Sequence, residues 1–415
     1  MRKRNLLAVL LSLGVLTILL ALVAVPLFAK GIGTHAAGIG DSGVQPGQNN
    51  GTMQNNGNMQ NNGGRQQNRN AKTINGLDNI SVVASTMFVL DAQGRTVMED
   101  ANPYGIAIAP AMTPKSNVPG SLRAGDLIVT NFGGNQTGTT LVRIPNKQGP
   151  ARLFNTMQSK GTKGPADEAF NTMTGTNWVA NTSGNNIQVF GTNGNVLATL
   201  TNPLFAMPWG QAFNNGVHNR IDGSVASFFS SNAADGTIDR IDLIPAKNGA
   251  ATFKVFQIGQ LAHMGKQTFI ALTWLPSLQM NGALYSDVLL ATDTVNNRIA
   301  AYPNSSTRHT QNTRSTYQGV TVFKGMPLQG PAGFTISPTT GDLLVVNSQK
   351  NNLVELNMST GKVVGTVMLD NVPVDAQSGN GSALFGVVAA VDNRGNLAVY
   401  FTDDNTNTVN VLHRS

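Results

Sequence analysis

The sequence contains no cysteine and few charged residues, which make up 12% of its 415 positions. Without cysteine the chain has no disulfides, thiolate metal sites or thiol catalysis. Low charge combined with 45 glycines favours short strands joined by tight turns over long solvent-exposed helices. No long amphipathic helical pattern interrupts the chain. A chain of this length can still bury a large core.

Motifs of several enzyme classes are also missing. The sequence has no GxSxG nucleophile elbow and no Walker phosphate loop, so neither a serine hydrolase nor a P-loop nucleotide site is indicated. No two of the histidines stand in an HxH or HExxH pair, and a zinc site therefore has no motif support. The histidines are His35, His218, His263, His309 and His413.

The positive charge is concentrated at the N-terminus. The formal net charge is +7. Residues 1–72 contain seven basic side chains and one acidic side chain, so the remaining chain is nearly neutral. A neutral domain has no electrostatic footprint for polyphosphate, and we expect no nucleic-acid partner. The basic residues concerned are Arg2, Lys3, Arg4, Lys30, Arg65, Arg69 and Lys72.

An apolar segment follows the first basic residues. Residues 6–29 carry no charge, and ~20 such residues suffice to span a bilayer, whereas a secretory core is usually ~7–15. Length thus favours an uncleaved anchor. Pro26 and the small residues near Ala29 and Ala36 fit a cleaved signal peptide instead. Residues 1–36 are predicted to be one or the other, and both export the rest of the chain.

Residues 37–79 are rich in Gly, Asn and Gln. Such a composition buries too little apolar surface to offset the chain entropy lost on folding. We interpret this segment as a disordered linker between the N-terminal segment and the folded domain.

A four-strand unit recurs from residue 80 onward. Its second strand ends in Asn or Asp, and successive ends are 50–61 residues apart. In five of the six units a β-branched residue or leucine follows six positions later. Asn and Asp close tight turns by bonding nearby backbone groups, so we interpret these residues as turn formers rather than ligands. They are Asn131, Asn181, Asn232, Asp293, Asn347 and Asp403.

The two ends of the repeat region are complementary. The sixth unit stops at Ser415 after its third strand, while an apolar strand within residues 81–91 has no unit of its own. Joining them completes the last unit and protects the strand edges of a ring. The sequence therefore predicts an all-β fold, a monomeric six-bladed β-propeller over residues 80–415 whose N-terminal strand completes the last blade.

Several stretches resemble known propeller repeats. Residues 293–299, DTVNNRI, resemble the core of an NHL repeat, and residues 341–367 resemble a YVTN repeat. The openings PYGIAIAP at Pro103 and PAGFTISP at Pro331 fit both families. The resemblance implies an exported bacterial protein of the cell surface. It implies little about function, because propellers include scaffolds, ligand binders and enzymes.

In such a propeller the loops that lead into the first strands share a face with the turns after the second strands. That face surrounds the channel mouth, where we expect a ligand. His263 precedes the fourth blade and is also predicted to reach the mouth, although a single loop histidine is more often a surface residue. The other predicted site residues are Tyr104, Asp167, Glu168, Trp209, Trp274, Phe334 and Phe385.

Two pairs among these residues allow alternative interpretations. Asp167 and Glu168 are adjacent acids that suit calcium or magnesium, but a solvated acidic turn is the commoner outcome. Tyr104 and Trp209 offer rings that stack on a sugar or another flat ligand, or that pack between blades. The sequence favours neither interpretation of the second pair.

The complete repeat set without a catalytic motif favours a non-enzymatic function. The leading hypothesis is an extracytoplasmic binding or scaffold module at the bacterial cell surface, with a cell-surface protein, a glycan or a small ligand as partner. It needs no cofactor and touches the membrane only through residues 6–29. The alternative is a metal-dependent hydrolase or lactonase, similar to other six-bladed hydrolases, with a divalent cation such as calcium at Asp167 and Glu168. A third hypothesis is a structural protein of the cell wall.

Overall fold

The computed structural model describes residues 71–111, 113, 120–155, 161–172, 174–214, 226–244, 252–262, 268–280, 282–308, 315–375 and 377–415. The predicted anchor or signal segment, nearly all of the predicted linker and His263 lie outside these residues. Among the described residues, no helix is long and apolar enough to cross a membrane.

The described residues form 26 strands and three short 3-10 helices. The helices are η1 (Ile74–Gly76), η2 (Gly134–Gln136) and η3 (Pro145–Lys147). Three strands precede the first repeat: β1 (Asn79–Ser85), β2 (Phe88–Leu90) and β3 (Thr96–Met98). The remaining strands form six blades, which we number in chain order.

Each blade consists of consecutive antiparallel strands. Blade 1 contains β4 (Pro103–Ile108), β5 (Leu127–Asn131), β6 (Thr140–Ile144) and β7 (Arg152–Leu153). Blade 2 contains β8 (Pro165–Asn171), β9 (Thr176–Asn181), β10 (Asn186–Phe190) and β11 (Val196–Leu200). Blade 3 contains β12 (Pro208–Phe213), β13 (Ala226–Asn232), β14 (Thr237–Ile244) and β15 (Thr252–Gln260).

The second half of the ring follows the same order. Blade 4 contains β16 (Leu272–Met280), β17 (Ala283–Asp293), β18 (Arg298–Tyr302) and β19 (Val320–Lys324). Blade 5 contains β20 (Pro331–Ile336), β21 (Leu343–Asn347), β22 (Asn352–Asn357) and β23 (Lys362–Met368). Blade 6 contains β24 (Val387–Val391), β25 (Leu397–Asp403) and β26 (Thr408–His413), and β1 is its fourth strand.

The ring closes as the sequence predicts. β1 pairs antiparallel with β26, and Ile80 lies opposite Leu412. A strand that has no blade of its own thus supplies the outer edge that the last repeat lacks. The six-bladed all-β propeller is confirmed, because the N-terminal strand and the C-terminal repeat share one sheet.

A hairpin on the outer edge of blade 1 was not predicted. β2 and β3 form an antiparallel pair, and Leu90 of β2 lies parallel to Arg152 of β7. This addition gives blade 1 six strands. The apolar segment over residues 81–91 therefore serves two blades, because its first half pairs with blade 6 and its second half with blade 1.

The ordered chain begins before residue 80. Ile74 is fully buried, and its backbone N–H donates to the Glu355 carboxylate at 2.8 Å. The N–H of Ala71 donates to Asn396 at 2.8 Å. Ala71, Ile74 and Leu77 pack with apolar residues of blades 5 and 6. These residues stood in the segment that composition assigned to the linker.

The apolar core lies between neighbouring blades. One cluster joins Leu290 and Ile299 of blade 4 to Val345 and Leu356 of blade 5. Successive strand residues point to opposite faces of a sheet, so each blade buries both of its faces against its neighbours. This arrangement explains why many strands are almost continuously apolar.

The Asn and Asp residues at the second-strand ends are all buried, with exposed fractions of 6% or less. Four positions later the chain adopts left-handed backbone geometry, where Asn and Gly are favoured. The φ angles there are between 48° and 71°. The residues with this geometry are Asn135, Asn185, Gly236, Asn297, Asn351 and Asn407.

The left-handed asparagines also join neighbouring blades. The side-chain oxygen of Asn297 in blade 4 accepts the backbone N–H of Gly330, ahead of blade 5, at 2.8 Å. Three further pairs repeat this hydrogen bond: Asn185 with Met207, Asn351 with Ala383, and Asn407 with Asn102. The left-handed asparagine therefore has two roles: it closes the hairpin of its own blade and binds the start of the next blade.

Hydroxyl side chains on the second strands form another link between blades. Thr130 Oγ1 accepts the N–H of Gly105 in its own blade at 2.8 Å and donates to the carbonyl of Ala166 in blade 2 at 3.1 Å. Ser231 joins blade 3 to Ile270 in the same way, and Thr402 joins blade 6 to Tyr104 of blade 1.

Candidate functional site

The first strands of all six blades surround a central cavity of about 290 Å³. We call it the channel chamber. Its wall contains two acids, Asp167 and Glu168, one amide, Gln211, and mainly small or apolar side chains. The wall segments are residues 105–108, 166–170, 211–213, 271–274, 332–335 and 386–388.

Five aromatic side chains form a cluster at one end of the chamber, which we call the aromatic plug. The Tyr104 ring stacks on those of Phe132 and Phe385, with centroid distances of 4.4 and 4.0 Å. Trp209 lies 4.8 Å from Phe269, which lies 5.2 Å from Phe385. Four of the rings lie at or just before the start of a first strand, and Phe132 follows the second strand β5. Offset or tilted ring pairs stabilise one another.

A second cavity of about 520 Å³, the mouth cavity, borders the plug. Tyr104 and Phe385 line both cavities, so the plug lies between them. The remaining lining combines loops ahead of first strands with turns after second strands. These residues are Phe269, Thr294, Val295, Asn297, Ser348, Gln349, Val374, Ser378, Gly379, Ser382 and Asp404.

Asp404 is the acid of the mouth cavity. Burial, together with the neighbouring carboxylate of Asp403, raises the pKa of Asp404 to about 6. The phenol of Tyr104 lies on the same wall, and burial raises its pKa as well, so it stays protonated at neutral pH. The mouth therefore offers both a hydrogen-bond donor and a titrating acceptor beside aromatic rings.

Glu168 is buried in the wall between blades 2 and 1. It is 5% exposed, and neither carboxylate oxygen has a hydrogen-bond partner within the part of the chain that the structure describes. Gly105 of blade 1 makes room for it, because a Cβ on Gly105 would collide with the Glu168 carboxylate. Burial, with a contribution from Asp167, raises the pKa of Glu168 well above its usual value. Burial therefore favours the neutral form of this acid.

Asp167 faces the opposite neighbour. Its carboxylate accepts the backbone N–H of Gln211 in blade 3 at 3.0 Å. Burial raises the pKa of Asp167 to about 7, although this hydrogen bond favours the charged form. The two adjacent acids thus lie on different sides of β8, as alternate strand positions require.

The residues that occupy the position of Glu168 in the other five blades show which side chains the propeller accepts there. Each of the six residues is buried, with exposed fractions of 3–7%. Four are apolar and two are polar. In blade order they are Ile106, Glu168, Gln211, Leu272, Phe334 and Val387. Gln211 also has one unpartnered atom, its side-chain oxygen, while its amide nitrogen donates to Ser230 at 2.7 Å.

The structure brings most of the predicted site residues to the channel but divides them into two groups. Tyr104, Trp209 and Phe385 belong to the aromatic plug, and Trp209 is only 4% exposed. Trp274 lines the chamber, and its indole N–H donates to Asp287 at 2.9 Å. The lining also includes Asp167, Glu168 and Phe334. His263 lies outside the described residues.

Sequence reasoning missed four residues of these cavities. Gln211 stands in PWGQAFN where Glu168 stands in PADEAFN, so comparing the repeats would have found it. Phe269 stands where most first strands begin with proline, and comparing the repeats would have found this residue too. Phe132 and Asp404 follow directly after second-strand Asn and Asp residues, and nothing local to them marks the channel.

A metal site gets no further support from the described residues, where no group of three or more His, Cys, Asp or Glu side chains could hold an ion. The divalent cation at Asp167 and Glu168 stays a prediction. Elemental analysis of the purified chain, prepared without chelator, would test it directly.

Known sequences and solved structures were compared with the chain. No family model matches, and no curated protein sequence matches. Virginiamycin B lyase from Staphylococcus aureus is 12% identical, with a TM-score of 0.44 over 81% of this chain and 99% of that one. A Bacteroides thetaiotaomicron protein of unknown function is 11% identical, with a TM-score of 0.48 over 80% and 75%.

An auxiliary nutrient binding protein from Bacteroides thetaiotaomicron is 10% identical, with a TM-score of 0.47 over 80% of this chain and 75% of that one. At such identities these similarities concern the fold alone. The chain is a β-propeller, and the finer resemblance to NHL and YVTN repeats stays a prediction.

Proposed function

We propose that the chain is a non-enzymatic binding module that recognises a glycan at its mouth cavity. We further propose that the N-terminal segment exports it, as a secreted or membrane-anchored protein, so that the propeller meets its ligand outside the cytoplasm. The proposal rests on one observation: Tyr104, Phe269 and Phe385 border a cavity whose other walls are largely polar.

Sugar rings have apolar faces and hydroxyl-rich edges. An aromatic ring accommodates the face, and hydroxyl, amide and carboxylate groups bind the edge. Ser378, Ser382 and Gln349 supply such groups around the plug. A volume of about 520 Å³ lies within the usual range of small-ligand sites, which is roughly 300–1,000 Å³.

Asp404 gives the proposal a pH dependence. A carboxylate accepts hydrogen bonds from sugar hydroxyls more strongly than a neutral acid does. Because the pKa of Asp404 is raised to about 6, we expect affinity to fall as the pH drops from 7 to 5. An Asp404→Asn variant should bind more weakly at pH 7 and lose most of this dependence.

The test is binding of soluble cell-wall oligosaccharides to the full chain, measured by calorimetry. Gln349→Ala and Ser382→Ala should each weaken binding several-fold, because both side chains line the mouth cavity. Lys324→Ala is the matched control, since Lys324 is exposed at the end of β19. Equal affinities in all three variants, or no oligosaccharide binding by the folded protein, would overturn the proposal.

A further inference from the structure

The channel chamber contains two polar side chains where the ring accepts apolar ones. Leu272, Phe334 and Val387 occupy the positions that correspond to Glu168 and Gln211, with nearly equal burial. Burial of a polar group without partners costs about 1–3 kcal/mol. The fold itself does not require a polar side chain at this position, because the other four blades have apolar residues there.

Glu168 is the more costly of the two. The hydroxyl of Thr130 lies near Glu168 and lowers its pKa somewhat, but its one hydrogen is donated to the Ala166 carbonyl while its oxygen accepts the Gly105 N–H. Both carboxylate oxygens consequently have no partner among the described residues. Such a group in a chamber wall points to a ligand that supplies the missing donors.

The wall also determines the charge of that ligand. Among the described residues, two acids line the chamber and no Lys, Arg or His does. Aromatic rings complete the wall, and ring faces attract organic cations. These rings belong to Phe170, Trp274 and Phe334. A cation is therefore favoured over an anion or a neutral apolar molecule.

An organic cation fits better than a hard metal ion. Calcium requires six to eight oxygen ligands. The side-chain oxygens of the wall come from Tyr104, Asp167, Glu168, Gln211 and three threonines, which five different first strands hold apart. Apart from two indole nitrogens, the other lining side chains are carbon. An alkylammonium ion needs only hydrogen-bond acceptors for its head and apolar wall for its chain.

We propose that the channel chamber is a binding site for a compact primary alkylammonium ion, with Glu168 as its counter-ion and Gln211 as a second acceptor. This site is separate from the mouth cavity, and it does not depend on the glycan proposal. Tyr104 and Phe385, which border both cavities, form the partition between them.

Binding should release a proton. The titratable side chains that line the chamber are Asp167, Glu168 and Tyr104. Burial raises the pKa of Glu168 and thus favours its protonated form in the free protein, whereas an ammonium ligand requires the carboxylate. The affinity should therefore increase up to tenfold per pH unit as the pH rises toward the pKa of Glu168.

The experiment is calorimetric titration of the full chain, purified in a mild detergent, with n-propylammonium chloride at pH 6 and 8. Propan-1-ol is the neutral probe of similar shape. We expect propylammonium to bind, propan-1-ol to bind at least tenfold more weakly, and Glu168→Gln to weaken propylammonium at least tenfold. Titrations in two buffers of different ionisation enthalpy would measure the released proton.

Asp239→Asn is the matched control variant. Asp239 is also fully buried with a pKa raised to about 7, but it is not among the chamber-lining residues. Propylammonium affinity should be unchanged in this variant, and urea unfolding checks that each variant is folded. The proposal fails if the folded wild type binds no propylammonium, if the alcohol binds equally well, or if Glu168→Gln binds as the wild type does.

Discussion

The two halves of the channel wall differ at one repeat position. The polar half consists of blades 2 and 3, which place Glu168 and Gln211 there, and the apolar half consists of the other four blades, which place Ile106, Leu272, Phe334 and Val387 there. Burial is similar in both halves, so the repeat imposes burial but not polarity. The polar half therefore holds the groups that the fold does not need, and a ligand site is to be sought there.

The largest effect on stability should come from placing the glutamate of the polar half at the equivalent position of the apolar half. Leu272→Glu buries a carboxyl group against the apolar cluster between blades 3 and 4. We expect a loss of about 3–5 kcal/mol in the free energy of unfolding at pH 8. Urea unfolding measures this loss, and a change below about 1 kcal/mol would show that any blade tolerates the acid.

The glycines of the first strands should be nearly as sensitive. A Cβ on Gly210 would collide with the Ile270 carbonyl of blade 4, so Gly210→Ala should lower the free energy of unfolding by about 3 kcal/mol. Gly134→Ala is the control, since nothing lies near its Cβ position. Equal stability of the two variants would mean that the blades do not meet at Gly210.

The reverse exchange in the polar half should stabilise the protein. Glu168→Leu removes a buried acid without partners and should raise the free energy of unfolding by about 1–3 kcal/mol. Because the folded-state pKa of Glu168 is raised, the wild type loses stability as the pH rises from the ordinary glutamate value toward that pKa. The gain from leucine should thus be larger at pH 8 than at pH 5. A gain independent of pH would contradict the raised pKa.

The smallest effect concerns a feature common to both halves, the left-handed turn residue. Asn297→Gly keeps the favoured geometry but loses the hydrogen bond to Gly330, which should cost about 1 kcal/mol. Asn297→Ala also loses the geometry and should cost about 1–2 kcal/mol more. Thermal unfolding would compare the two variants. Blade 3 provides a natural precedent, since Gly236 occupies this position.

The ring could be predicted from the sequence because its signals are local and repeated. The strand-ending residues from Asn131 to Asp403 fix the number of blades, and the unmatched strands at the two ends predict the closure. The β2–β3 hairpin escaped prediction because Leu90 pairs with Arg152, about sixty residues away, across a contact that leaves no periodic pattern.

The candidate site could be predicted only in part. The sequence predicted Tyr104, Glu168 and Trp209 at the channel because they stand in or at the start of first strands. Equivalent positions of the first strand line the channel in every blade. Which rings stack, and which oxygens have no partner, depends on contacts between blades. Trp209 illustrates this limit, because packing beneath Phe269 leaves it too buried to serve as an open platform for a ligand.

Direct titration of the Glu168 carboxyl group tests the central claim, that one blade holds an uncompensated acid in the channel wall. Carbon-13 NMR of the labelled side chain would follow its ionisation from pH 3 to pH 9, with Glu168→Gln to assign the signal. We predict that the carboxyl group ionises at a pH well above the ordinary glutamate value. Ionisation near the ordinary glutamate value of 4.5 would mean that partners or solvent compensate the acid, and the account of the channel chamber would be wrong.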